Sequence, residues 1–164
     1  MKKIVCSIAV AGLMVSGVMA KDSYFTLGGG ALSGDLPSQT RYSVALETFL
    51  GYLSPKESND WIFGMDFGLA YGSKDGADYF DTFADIRPGY KIGDNMIVYG
   101  IGGLSAGSWD NDGMYGGELG AGFRFYFDDY RYTVGVDYKY GWFKDDSGLD
   151  PTMSKVMGVI GIRF

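Results

Sequence analysis

Hydrophobicity alternates at a period of two residues through nearly the whole chain after residue 22, and no segment there carries the 3.6-residue stripe of an amphipathic helix. In Trp61 to Tyr71 the odd positions are Trp61, Phe63, Met65, Phe67, Leu69 and Tyr71, and the even ones Ile62, Gly64, Asp66, Gly68 and Ala70. In Arg131 to Trp142, Tyr132, Val134, Val136, Tyr138, Tyr140 and Trp142 alternate with Arg131, Thr133, Gly135, Asp137, Lys139 and Gly141. Successive strand side chains point to opposite faces, so each segment reads as a strand with one oily face and one mixing glycine with charge.

The division recurs in Arg41 to Leu53, Tyr79 to Ile92, Gly117 to Phe127 and Lys155 to Phe164, and more weakly in Ser23 to Leu32. Met96 to Ala106 is read with Ile97, Tyr99 and Ile101 on the oily side. That makes eight strands. Gly, Asp, Asn, Ser and Pro fill the segments between them: Ser33 to Thr40, Ser54 to Asp60, Gly72 to Asp78, Gly93 to Asn95, Ser105 to Gly113, Asp128 to Asp129 and Lys144 to Ser154. Connections this short join neighbours antiparallel, in an up-and-down meander.

Two architectures share the pattern, a soluble ligand-binding barrel with an oily inside and a membrane barrel with an oily outside. The polar face decides for the second. It is crowded with Gly, Ala and Ser beside opposed charges, which suits a narrow lumen, whereas a solvated surface would carry many Lys, Glu, Gln and Asn. The oily face bears large residues along its whole length and aromatics at the strand ends, Trp61, Tyr71, Tyr132 and Trp142 among them, where interfacial girdles belong. No residues remain to build a second sheet or helices over the oily faces. The expected fold is therefore all-β, an eight-stranded antiparallel up-and-down transmembrane β-barrel. Pro88 falls inside a strand, so a bulge or an earlier strand end is expected there.

Met1 to Ala20 reads as a secretory signal, with Lys2 and Lys3 ahead of an apolar run from Ile4 to Val18 and small residues at Val18 and Ala20. The domain reading is a signal peptide over 1–20 and a barrel over 21–164. Cleavage would remove Cys6 and move the formal charge from −6 to −8. With no His in the chain and that Cys gone, thiolate, imidazole and Cys/His metal chemistry are excluded. The negative balance argues against nucleic acid as a partner.

The ending Val159-Ile160-Gly161-Ile162-Arg163-Phe164 places apolar residues at every second position before a terminal Phe. It resembles the closing strand of bacterial outer-membrane proteins, although that family's usual polar residue and glycine would fall on Met157 and Val159. The whole mature chain resembles a small OmpA/OmpX-type barrel of the general outer-membrane β-barrel domain family. The resemblance implies a Gram-negative outer membrane, both termini periplasmic with short turns there, and loops outside. It also implies that the assembly machinery reads Ile160, Ile162 and Phe164. Outer-membrane lipids and lipopolysaccharide are the expected surroundings, the chain is expected to be a monomer, and no cofactor is implied.

The inward charges are the most distinctive polar feature: Glu47, Asp66, Asp85, Glu118 and Asp137 against Arg41, Arg87, Lys91, Arg124 and Lys139. They could form a selective channel or proton path, or a plug of salt bridges. An eight-stranded barrel is only just wide enough for side chains, which favours the plug. The four segments expected outside hold eight Asp and two Lys, enough to keep a rim solvated or to gather divalent cations. Asp110-Asn111-Asp112-Gly113 resembles part of a calcium loop, but the required Glu falls on Leu119. Trp109 is the loop residue singled out for contact, with interfacial anchoring or packing on the rim as an equal alternative. Gly28-Gly29-Gly30 and Gly100-Ile101-Gly102-Gly103 precede no helix, so they are read as close strand packing rather than phosphate loops. The functional expectation is a non-catalytic structural or surface-interaction role, with an adhesin or host-resistance factor acting through the outer loops as the alternative. Lipid-modifying enzymes of this size as a class rely on His, which is absent.

Overall fold

The computed structural model describes residues 22–35, 38–49, 60–74, 77–110, 112–146, 148 and 150–164. The expected signal segment and most of Ser54 to Asp60 lie outside the described residues. Eight strands follow in order: β1 Asp22–Gly34, β2 Gln39–Phe49, β3 Trp61–Lys74, β4 Ala77–Ile92, β5 Met96–Trp109, β6 Asp112–Phe127, β7 Tyr132–Asp145 and β8 Thr152–Arg163. Each pairs antiparallel with its sequence neighbours, and β1 closes the sheet on β8 from Tyr24↔Arg163 to Gly34↔Met153. The all-β, eight-stranded up-and-down barrel is the observed fold.

Closure leaves no sheet edge, so the ladder backbone pairs internally and the outer face is free to be apolar. Trp61, Tyr71, Tyr138, Tyr140 and Trp142 all point outward and are exposed. From Trp61 to Tyr71, ten residues of tilted strand rise about 25 Å, the height of the apolar band of a membrane barrel. Trp61 and Tyr132 lie at the end where β1 begins and β8 finishes, here the terminal end, and Tyr71 and Trp142 at the opposite, loop end. Ile160, Ile162 and Phe164 are exposed on the outside of β8 and just beyond it.

Three expectations need correction. Ile97, Tyr99 and Ile101 face inward and are buried, while Val98 and Leu104 face out. Register forces this: Ile97 lies between Lys91 on β4 and Arg124 on β6, so it shares their inward face. Second, Pro88 interrupts neither strand nor register. β4 runs through it opposite Phe63, and only the ladder to β5 skips Arg87 and Pro88, between Ile86↔Gly102 and Gly89↔Tyr99. Third, the connections expected outside are shorter than the turn-rich composition implies. Gly72 and Ser105 stay within strands, and the connections shrink to residues 35–38, 75–76, 110–111 and 146–151. Gly107 shows why glycine misled: a Cβ there would fall 1.9 Å from the Phe80 carbonyl oxygen, so it serves close strand approach rather than a turn.

At the terminal end, Gly93 turns the chain with φ at 65°. The second turn places Asp129 and Tyr130 at φ of 53° and 63°, with Arg131 N–H donating to the Asp128 carbonyl at 3.0 Å. A bulky residue at positive φ is strained. Tyr130 is held there by its contacts: its ring is buried, its hydroxyl donates to the Asp94 carbonyl, and its own carbonyl accepts from the Tyr24 hydroxyl at 2.5 Å.

Candidate functional site

Inward-facing residues divide the lumen into three layers. At the terminal end Tyr24, Phe49, Ile62, Ile97, Tyr99, Ile101, Tyr126 and Tyr130 form one buried apolar cluster. At the loop end Leu32, Tyr79, Met114, Phe143 and Met153 form another, with Trp109 packed against it. Between them lies a belt of charge. Glycines on the inner face make room for the long side chains. A Cβ on Gly103 would sit 1.9 Å from Asp85 Oδ1, so no larger residue fits beside that carboxylate.

Two guanidinium groups organise the lower half of the belt. Arg87 donates from Nη1 to Glu47 at 2.5 Å, and from Nη2 to Asp66 at 2.5 Å and Asp137 at 3.1 Å. Arg124 reaches Asp137 with both Nη atoms at 2.9 Å, and Glu47 through Nε at 3.3 Å. The Tyr99 hydroxyl donates to Asp137 at 2.5 Å, and its ring lies under both guanidiniums, 5.0 Å from Arg87 and 5.3 Å from Arg124. In the upper half, Lys139 pairs with Asp85 and stands 4.2 Å over the Phe83 ring. Lys155 bridges Glu118 and Asp81, the latter at 2.8 Å, and Arg41 completes the set with Asp81 at 3.0 Å.

Taking ions out of water costs several kcal/mol each, and only multiple well-aligned partners offset it. These side chains are at most 5% exposed, so the belt is dry and its pairing is what holds the charges inside. Nine of the ten inward charges expected from the sequence sit in this network. Lys91 does not: it lies near the terminal end of β4, half-exposed, and makes no ion pair with the described residues. Asp81 and Lys155 belong to the network and were missing from that expectation, although both occupy polar-face positions in the alternation. Trp109 takes the rim-packing position, one of the two readings its sequence allowed. It ends β5 half-buried, its ring 5.9 Å from Tyr79, and so closes the plug instead of standing at a loop tip. Asp110 lies in the two-residue connection 110–111 and Asp112 opens β6, and no group of His, Cys, Asp or Glu among the described residues is arranged to hold a metal ion.

Outside the barrel, a shallow groove of about 630 Å³ lies over Gly100 and Ala121 between Tyr90, Phe123 and Tyr138. Its lining offers no carboxylate, cation or nucleophile beyond tyrosine hydroxyls.

No family model matches the chain, and no curated protein sequence matches it. Solved structures do. Ail, the attachment invasion locus protein of Yersinia pestis, superposes with a TM-score of 0.58 at 15% identity, over 87% of this chain and 97% of that one. Neisserial surface protein A gives 0.60 at 12% identity, over 87% and 96%. The outer membrane enzyme PagL gives 0.55 at 15% identity, over 85% and 98%. All three are small eight-stranded outer-membrane barrels. The chain has that fold. Identities this low carry the architecture and nothing finer, and the three include an enzyme as well as surface proteins.

Proposed function

We propose that this protein is an integral outer-membrane barrel with a closed lumen and a non-catalytic, structural role in the envelope. The observation that carries the reading is the lumen's filling: apolar layers at both ends enclose a dry, ion-paired belt. A conducting pore needs a hydrated path, and a hydrolase needs an accessible nucleophile with a base. The inward face is instead committed to packing and mutual pairing, and the sequence has no His to serve as base.

A surface-contact role, as adhesin or resistance factor, would act through the outer connections. At two to six residues these are short, so the structural reading is preferred. The outer membrane fits the apolar girdle and the company of the structural neighbours. Termini towards the periplasm fit an aromatic-ended closing strand that the assembly machinery would engage. Outer-membrane lipids and lipopolysaccharide are then the proposed partners of the oily face, and the proposed state is a monomer.

The test is planar-bilayer recording on purified protein, beside fractionation of cells. The expected outcome is outer-membrane recovery with no steady conductance. Reproducible open channels would replace the plug with a pore, and recovery in the soluble periplasm would remove the membrane assignment.

A further inference from the structure

Among the described residues, the buried charges of the lumen do not balance. Arg41, Arg87, Arg124, Lys139 and Lys155 supply five positive charges, while Glu47, Asp66, Asp81, Asp85, Glu118 and Asp137 supply six negative ones. Asp22 and Arg163 form a separate pair at the terminal rim. Lys91 is half-exposed and six residues along β4 from Asp85, about 20 Å away by strand rise. Neither offsets the surplus, and an uncompensated buried charge is strongly unfavourable.

The surplus can be located. Glu47 and Asp137 each touch Arg87 and Arg124; Asp81 touches Arg41 and Lys155; Glu118 touches Lys139 and Lys155. Asp66 has Arg87 alone, shared with Glu47 and Asp137, and Asp85 has Lys139 alone, shared with Glu118. Asp66 Oδ1 and Asp85 Oδ1 are both buried without a hydrogen-bond partner. The two residues are also directly opposed across β3 and β4 on one face, where like charges destabilise. Glu47 opposes Asp66 from β2, and Glu118 continues the row beyond Gly103. Facing it are Arg87 from β4, Tyr99 from β5, Arg124 from β6, Asp137 and Lys139 from β7, and Lys155 from β8. β1 turns Tyr24 and Asp22 inward, near the terminal rim.

The geometry points to one proton held by the Asp66–Asp85 pair in the folded barrel at neutral pH, one side chain a neutral acid and the other a carboxylate. The proton comes from water and forms one O–H bond. It turns an orphaned acceptor into a donor, removes the like-charge opposition, and leaves five negative charges against five positive. The inference rests on the lumen being closed to water.

The experiment compares wild type with Asp66→Asn, Asp85→Asn and Asp137→Asn, folded in lipid vesicles. The infrared carbonyl band of a neutral carboxylic acid is expected in wild type at pH 7 and is expected to be absent from both single variants of the pair. Those two should unfold in urea at or above the wild-type midpoint. Asp137→Asn, which strips partners from Arg87, Arg124 and Tyr99, should raise the unfolding constant tenfold or more. Because folding takes up one proton near pH 7, the wild-type unfolding constant should rise about tenfold per pH unit relative to Asp66→Asn. Absence of the band in wild type overturns the proposal, as does its survival in both variants. Stabilisation of wild type by Na⁺ or Mg²⁺ at fixed ionic strength, with no such band, would put a cation there instead and overturn it too. Should one variant fail to fold, the wild-type band and the other variant still decide. A conducting wild type would refute the closed lumen separately.

Discussion

Arg87 on β4 and Asp137 on β7 meet across the lumen, Nη2 to Oδ2 at 3.1 Å, and so tie together strands that share no ladder. The same guanidinium holds Glu47 and Asp66. Arg87→Met would leave three dry carboxylates short of a donor, and a loss of about 3–5 kcal/mol is expected. Arg163, 41% exposed in its pair with Asp22, is the contrast: Arg163→Ala should cost about 0–1 kcal/mol. Urea unfolding in lipid vesicles checks both, and equal losses would mean that the belt is not a dry network.

Neighbouring positions on β7 separate the two faces. Val136 is exposed on the outside opposite Phe123 and Gly158, in the middle of the strand. Val136→Arg puts a charge against hydrocarbon near the midplane and should cost about 2–4 kcal/mol. Tyr132→Arg, at the interfacial end of the same face, should cost about 0–1 kcal/mol. A folded, monodisperse protein in buffer without any amphiphile, indifferent to Val136→Arg, would show that the outer face does not meet lipid.

Outside the apolar band, Asp35 clasps the start of β8. Its carboxylate accepts the Thr152 backbone N–H at 2.7 Å and the Thr152 hydroxyl at 2.7 Å. Both bonds favour the charged form, the backbone bond more, and hold Asp35 below the usual carboxylate range. A depressed folded-state value means that the clasp contributes above the ordinary carboxylate range and is lost as pH falls through the lower, folded-state value. Titration of Asp35 by NMR should show the low midpoint, and Thr152→Val should return it part of the way. An unshifted midpoint in wild type would mean that the clasp does not persist in solution.

Much of this fold is legible in the sequence because one observable, parity along a strand, carries both secondary structure and facing. β3 from Trp61 to Tyr71 and β7 from Tyr132 to Trp142 read cleanly: their outward residues are all large, and their inward ones are Gly, Ala or charged apart from Ile62 and Thr133. Parity fails on β5, where Gly100 and Gly102 face lipid while Ile97, Tyr99 and Ile101 fill the terminal plug. Hydrophobicity cannot tell an apolar plug from an apolar exterior, and only register against Lys91 and Arg124 resolves the two. The charge belt was legible as a set of inward residues, but its partnerships were not. Asp66 and Asp85 are 19 positions apart and adjacent in space, whereas Lys155 finds Asp81 from 74 positions away.

Tyr99 offers a direct check of that reversed face. Its hydroxyl donates to Asp137 at 2.5 Å and accepts from Arg87 Nη1 at 3.4 Å. Tyr99→Phe removes a buried donor to a charged acceptor and should cost about 1.5–3 kcal/mol. Tyr138, outward on β7 with its hydroxyl 3.4 Å from Ser154 Oγ in an exposed position, is the control. Tyr138→Phe keeps the apolar ring at the lipid face and should leave stability within about 0.5 kcal/mol. Were Tyr99 on the oily side, as its sequence neighbours imply, the two substitutions would be equally mild. Unfolding free energies measured side by side therefore decide which way β5 faces, and with it whether the terminal plug exists.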